Sequence, residues 1–264
     1  MAGRASCQLR DPQNLAQRLR HLSRVDQNTL GYVTVHKENT SRKLDFVSRR
    51  ANDILNLVLQ HRLVAILRLP DLTDAVPLVR SLLDGGVRLI EFTLTNPEAG
   101  KAVARCRNEI KQFDQGEAAI GLGSIRTTDE AKLALDSGSQ FLVTPIYSQA
   151  VIKLCKNANT MICSGAFTPT EIYNAHSDGS DIVKVFPARG LGPNYIKDVL
   201  APMPFLKLMP TGGVDLSNVQ SYFAAGAVAV GVGGQFIDAT AVKNRDWPVI
   251  TKAAQLFVQA TSRP

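Results

Sequence analysis

Residues 85–97 read GGVRLIEFTLTNP. The paired glycines stop any preceding helix, the run from Arg88 to Leu94 has strand composition, and Asn96-Pro97 ends it in a turn. The same rhythm repeats outward in both directions. Apolar runs occur at Leu63–Leu67, Arg88–Leu94, Ala118–Leu122, Phe141–Thr144, Met161–Cys163, Ile182–Phe186, Phe205–Met209 and Ala227–Val232, with starts about 23 residues apart on average. Segments between them carry helix patterning with capping residues at both ends, as from Asp74 to Leu83, Thr128 to Ser137 and Thr170 to Ala175. Parallel strands need such crossovers, and eight of them close a sheet without edges. The expected fold is α/β, a compact (β/α)8 TIM barrel over residues 51–264, with a doubly wound open sheet as the alternative.

At 45% hydrophobic and 20% charged, the 264 residues suffice for a full core and are unlike a disordered or fibrous chain. Net charge is +7, from 30 Lys plus Arg against 23 Asp plus Glu. That excess is local. Residues 1–44 hold eight basic residues against three acidic ones, so the remainder is nearly neutral and offers no nucleic-acid footprint. Residues 1–50 read as a basic N-terminal extension. Within it Asp11 to Val25 is amphipathic, with Leu15, Leu19 and Leu22 at helical spacing among Arg18, Arg20 and Arg24. Organelle transit peptides share this pattern with solvated helices and disordered tails. No apolar h-region marks a secretory signal. Gln60, His61 and Arg62 interrupt the best apolar stretch, Ile54 to Leu69, which stops it short of the roughly 18 residues of a membrane span. A cytoplasmic or organellar location is expected, with no membrane partner. Cys7, Cys106, Cys155 and Cys163 are scattered, as are His21, His36, His61 and His176, which points to a reducing compartment and no bound metal.

In a barrel of this kind chemistry gathers at the C-terminal ends of the strands. Alternation along IEFTLT sends Ile90, Phe92 and Leu94 toward the helices and Glu91, Thr93 and Thr95 toward the interior. In DIVKVFPA it turns Val183 and Val185 outward and Lys184 inward. An unpaired buried charge is costly, so an inward lysine and an inward carboxylate form either a structural ion pair or a tuned catalytic couple. An amine kept neutral by apolar surroundings attacks carbonyls to form a Schiff base. Arg68, ending the first strand, is either an anion-binding charge or a structural arginine stacked at the mouth. Gly212-Gly213 in LMPTGGV and Gly233-Gly234 in GVGGQF follow the last two strands. Barrels expose backbone N–H groups to phosphate there, and tight βα turns are the other use for such glycines.

These strings also carry a resemblance. VAILR, GGVRLIEFTLTNP, GLGSI, FLVTP, FTPTEI, VKVFPA, PTGGV and GVGGQF follow one another in order. Together they make the chain from about Arg62 to Phe257 similar to the 2-keto-3-deoxy-6-phosphogluconate / 4-hydroxy-2-oxoglutarate aldolase family of pyruvate-dependent class I aldolases. The resemblance implies Lys184 as the Schiff-base lysine and Glu91 as the general acid/base. It also implies Ser124 and Pro145 in the pyruvate-carboxylate pocket, Arg68, Thr95 and Phe186 against the substrate, and the paired glycines with Gln235 around phosphate. The implied reaction cleaves a 2-keto-3-deoxy-6-phospho sugar acid to pyruvate and glyceraldehyde 3-phosphate, without metal or cofactor, in a homotrimer. Three positions depart from the phosphogluconate branch: Thr95 takes the place of an arginine, Ser164 of a proline and Gln235 of a serine. VAILR, Asn96-Pro97 and FPARGLGPNYIK look more like the 2-keto-3-deoxy-6-phosphogalactonate branch. A 4-hydroxy-2-oxoglutarate aldolase, a phosphate-binding isomerase with Glu91 as base, and a keto-acid-binding barrel without turnover are the competing expectations.

Overall fold

The computed structural model describes residues 51–234 and 236–262, so the basic extension, with its amphipathic segment, and Gln235 lie outside the described residues. A helix over residues 51–61, α1, leads into eight strands. These are β1 (Leu63–Leu67), β2 (Leu89–Thr93), β3 (Ala119–Gly123), β4 (Phe141–Val143), β5 (Met161–Ala166), β6 (Ile182–Val185), β7 (Leu208–Pro210) and β8 (Val230–Val232). Their crossovers are α2 (Ala75–Asp84), α3 (Ala99–Glu109), α4 (Thr128–Asp136), α5 (Gln149–Asn157), α6 (Pro169–Ser177), α7 (Gly192–Leu200) and α8 (Val219–Ala224), and α9 (Ala239–Lys243) and α10 (Trp247–Thr261) follow β8. Every strand pairing is parallel, in the order β7-β6-β5-β4-β3-β2-β1-β8. A bridge between Thr211 and Gly231, with the Val228 N–H donated to Leu208 O at 3.0 Å, joins the two ends. The sheet is a nearly closed barrel, and the open-sheet alternative falls away.

A period of two sorts the strand side chains into two cores. Ile90, Phe92, Leu122, Val183 and Val185 belong to the layer between strands and helices. Leu89, Phe141, Met161, Ile182 and Met209 fill the inside of the barrel. To that inner cluster α1 adds Ala51, Ile54 and Val58. Because α1 runs directly into β1, it plugs the N-terminal mouth and leaves the C-terminal mouth for chemistry.

Two helices begin on capping boxes, Thr127 with Glu130 before α4 and Thr168 with Glu171 before α6, and Pro169 occupies the first turn of α6. Asp74, expected to cap α2, makes no side-chain cap bond; its carboxylate accepts from Arg245 Nε at 2.9 Å. Strand limits shift where composition misleads. Phe205 precedes β7, is 52% exposed, and packs its ring on His176 with centroids 5.1 Å apart. β5 runs on to Ala166 because Ser164, Gly165 and Ala166 pair with Val183, Lys184 and Val185. That signal comes from the neighbouring strand, not from small residues of low strand propensity. Among the described residues no helix is long and apolar enough to cross a membrane, and Cys106, Cys155 and Cys163 are each buried and free.

Candidate active site

On β6, Lys184 pairs in register with Gly165 of β5 and Met209 of β7. Since Val183 and Val185 take the helix side, Lys184 points into the barrel and is only 5% exposed. Its Nζ lies 5.2 Å from the centroid of the Phe186 ring, within cation–π range. Glu91, in the middle of β2, faces the same interior and is wholly buried. Neither of its carboxylate oxygens has a hydrogen-bond partner among the described residues. Burial pushes its pKa above the usual glutamate range, and the positive charges of Lys184 and Arg68 pull it partway back. The third strand makes room for it: Gly123 pairs with Thr93, and a Cβ there would land on the Glu91 carboxylate. A carboxyl that holds its proton beside a primary amine donates that proton when needed and, once ionised, acts as a base.

The neighbouring strand ends carry the other expected residues. Ser124 follows β3 half-buried with φ +62°, a left-handed backbone that serine rarely adopts. Pro145 lies in the turn after β4. There the buried Thr144 hydroxyl donates to Ile146 O at 2.6 Å and accepts from the Gly165 N–H at 2.8 Å. This clamps the Pro145 peptide against the register partner of Lys184. Thr95 corrects the alternation read from the sequence. β2 ends at Thr93, so Thr95 sits exposed in the following turn, its hydroxyl 2.8 Å from that of Thr93. Ser164 is no part of the site: Cys163 belongs to the inner cluster, which turns Ser164 toward the helix layer with a buried hydroxyl that has no partner among the described residues.

Over Lys184 opens a cavity of ≈ 470 Å³. Its wall includes Arg68, Lys184, Phe186, Gly212, Gly213, Gly233 and Gly234, seven of the residues singled out from the sequence. Glu91, Ser124, Pro145 and Thr95 are not on that wall, and Gln235 lies outside the described residues. Of the other polar wall residues, Thr211 is read from the sequence as ending the seventh strand but without a role, and Arg189 was not selected. Both stand just beyond a strand end, the position rule that found Arg68, and Arg189 is visible in the string FPARG. Among the described residues no group of three or more His, Cys, Asp or Glu is placed to hold a metal.

Comparison with known proteins agrees with this geometry. The family model described as KDPG and KHG aldolase matches residues 54–253. A 2-dehydro-3-deoxy-phosphogluconate aldolase of Treponema pallidum is 32% identical over 75% of this chain and 92% of its own length. The 2-dehydro-3-deoxy-6-phosphogalactonate aldolase of Escherichia coli is 28% identical over 68% of this chain and 89% of its own. Among solved structures, KDPG aldolase from Legionella pneumophila, with pyruvate captured as a covalent carbinolamine, superposes with a TM-score of 0.69 at 25% identity, over 78% of this chain and 97% of that one. A barrel that buries an amine and a carboxyl of raised pKa in one interior, matched over three quarters of its length, belongs to the KDPG and KHG aldolase family, the class I aldolases, which are lyases.

Proposed function

We propose that this chain cleaves a 2-keto-3-deoxy-6-phospho sugar acid to pyruvate and glyceraldehyde 3-phosphate through an imine on Lys184. The observation that carries the reading is the buried Lys184–Glu91 couple beneath a cavity whose wall holds two guanidiniums, four paired glycines and no carboxylate. The Lys184 amine adds to the C2 carbonyl, and Glu91, directly or through water, supplies the proton that lets the carbinolamine lose water as an iminium. The ionised Glu91 then takes the proton of the C4 hydroxyl. The C3–C4 bond breaks, its electrons move into the iminium to give an enamine, and the C4 side leaves as the aldehyde. Glu91 returns the proton to C3, and water releases pyruvate from the lysine. Arg68, Ser124 and the Pro145 peptide receive the substrate carboxylate, while Gly212, Gly213, Gly233 and Gly234 offer backbone N–H groups to phosphate.

4-Hydroxy-2-oxoglutarate is the second substrate reading, favoured by the two cavity arginines because it carries two carboxylates. The sugar acid uses the glycine pairs as well. The homotrimer implied by the resemblance is proposed with it and is read by sedimentation equilibrium. The deciding experiment is intact mass after incubation with pyruvate and sodium borohydride, then peptide mapping and a substrate panel of both phosphorylated epimers and 4-hydroxy-2-oxoglutarate. A reduced pyruvate adduct on Lys184, absent from a folded Lys184→Met variant, is expected. An unmodified Lys184 in active wild type, or full turnover by Lys184→Met, would sink the assignment.

A further inference from the structure

Arg189 lies on a short 3-10 turn, Ala188–Gly190, just after the strand that carries Lys184. That turn is tied to the end of β7, because the Ala188 N–H donates to Thr211 O at 2.8 Å. The Arg189 stem also lies against Gly213, where an added Cβ would stand 2.7 Å from Arg189 Cβ. With φ +94°, Gly213 serves both the turn and the contact. Arg189 therefore enters the cavity from the β6 and β7 side. No hydrogen bond or ion pair from the described residues engages its guanidinium. The wall it shares with Arg68 and Lys184 contains no carboxylate. Two guanidiniums on one small cavity repel one another until an anion enters. Arg68 acts at the Glu91 end, where its charge favours the ionised carboxylate. Arg189 remains for the far end of a substrate that is anionic at both ends.

We infer that Arg189 is a specificity-determining residue that grips the terminal phosphate of the substrate beside the backbone N–H groups of Gly212 and Gly213. The inference rests on the sugar-acid reading above and refines it. The planar guanidinium fork matches phosphate in a bidentate way that a lysine cannot reproduce. The phosphate is remote from the C3–C4 bond and is held equally before and during cleavage, so the contact acts on KM and leaves kcat largely alone.

The test is steady-state kinetics of the full chain as wild type, Arg189→Ala and Arg189→Lys, with a 2-keto-3-deoxy-6-phospho sugar acid and its dephosphorylated counterpart, beside borohydride trapping of pyruvate. Wild type is expected to prefer the phosphorylated acid. Arg189→Ala should raise KM for it about 10- to 100-fold with little change in kcat. The dephosphorylated acid and pyruvate trapping should respond far less, and Arg189→Lys should recover part of the KM. If wild type prefers the phosphorylated acid and Arg189→Ala keeps that preference, this inference fails while the aldolase reading stands. If wild type shows no preference, the phosphate reading and this inference fail together. Loss of pyruvate trapping in both variants overturns the assignment of Arg189 to the far end.

Discussion

Glu91 is where the physics of a single residue is most exposed. Its carboxyl is wholly buried without a hydrogen-bond partner among the described residues, and burial raises its pKa against the pull of Lys184 and Arg68. The native state therefore holds this proton at pH values where the unfolded chain has released it. Wild-type stability from this group is full below the ordinary glutamate pKa and declines as pH rises from there through the raised native value. Glu91→Gln carries no such titration. Relative to wild type it is expected to gain stability between pH 4.5 and pH 7.5, by about 1.4 kcal/mol for each unit of elevation, while turnover falls on the order of 10²- to 10⁴-fold. Urea unfolding at the two pH values reads the first effect, and a gap that does not widen with pH would argue for a normally titrating carboxyl. Gly123 is the complement. A Cβ at this position occupies the carboxylate's place, so Gly123→Ala is expected to cost about 1–3 kcal/mol and to displace Glu91, with kcat falling while pyruvate binding weakens less. Wild-type kcat in a folded Gly123→Ala variant would show that the carboxyl has room elsewhere.

Among the elements, α6 shows how a loop beside the site is held. Thr168 and Glu171 satisfy each other's backbone N–H groups at its start, and the Glu171 carboxylate also accepts from the Phe167 N–H at 2.9 Å. The backbone bonds from Thr168 and Phe167 hold the Glu171 pKa below the usual range. A lowered carboxylate stabilises above its unfolded pKa and loses that contribution as pH falls through the native one. Glu171→Gln is therefore expected to lower stability near pH 7 and by less near pH 3, as read from paired thermal melts. An equal loss at both would mean that the carboxylate does not take part in the cap. The capping boxes are local Thr-x-x-Glu patterns, yet the helix starts read from the sequence, Thr128 and Thr170, fall one and two residues past the capping threonines. The failed cap at Asp74 was not legible, because its partner Arg245 is 171 residues away along the chain.

Across the whole molecule, the barrel divides labour between its two mouths. One end is plugged by α1 through Ala51, Ile54 and Val58, and the other bears the cavity above Lys184. Ile54 is 4% exposed, so Ile54→Ala should remove about 2–5 kcal/mol of stability while kcat and the pyruvate adduct persist, since the plug and the chemistry share no residue. Denaturant unfolding with parallel borohydride trapping tests this, and loss of the adduct in a still-folded variant would mean that the plug shapes the site.

Side-chain direction is a local property of an extended chain, which is why the period of two placed Lys184 and Glu91 inside before any contact was known. Eight regularly spaced runs likewise sufficed for the barrel, since parallel strands admit few closures. What each inward group meets is decided only when distant segments return beside it. Gly123 under the Glu91 carboxylate, the Pro145 peptide clamped by Thr144, and Arg189 seated on Gly213 all depend on register between strands. Thr95 marks the limit of the local rule: alternation holds only while the strand does, and β2 ends two residues too soon to turn that side chain inward.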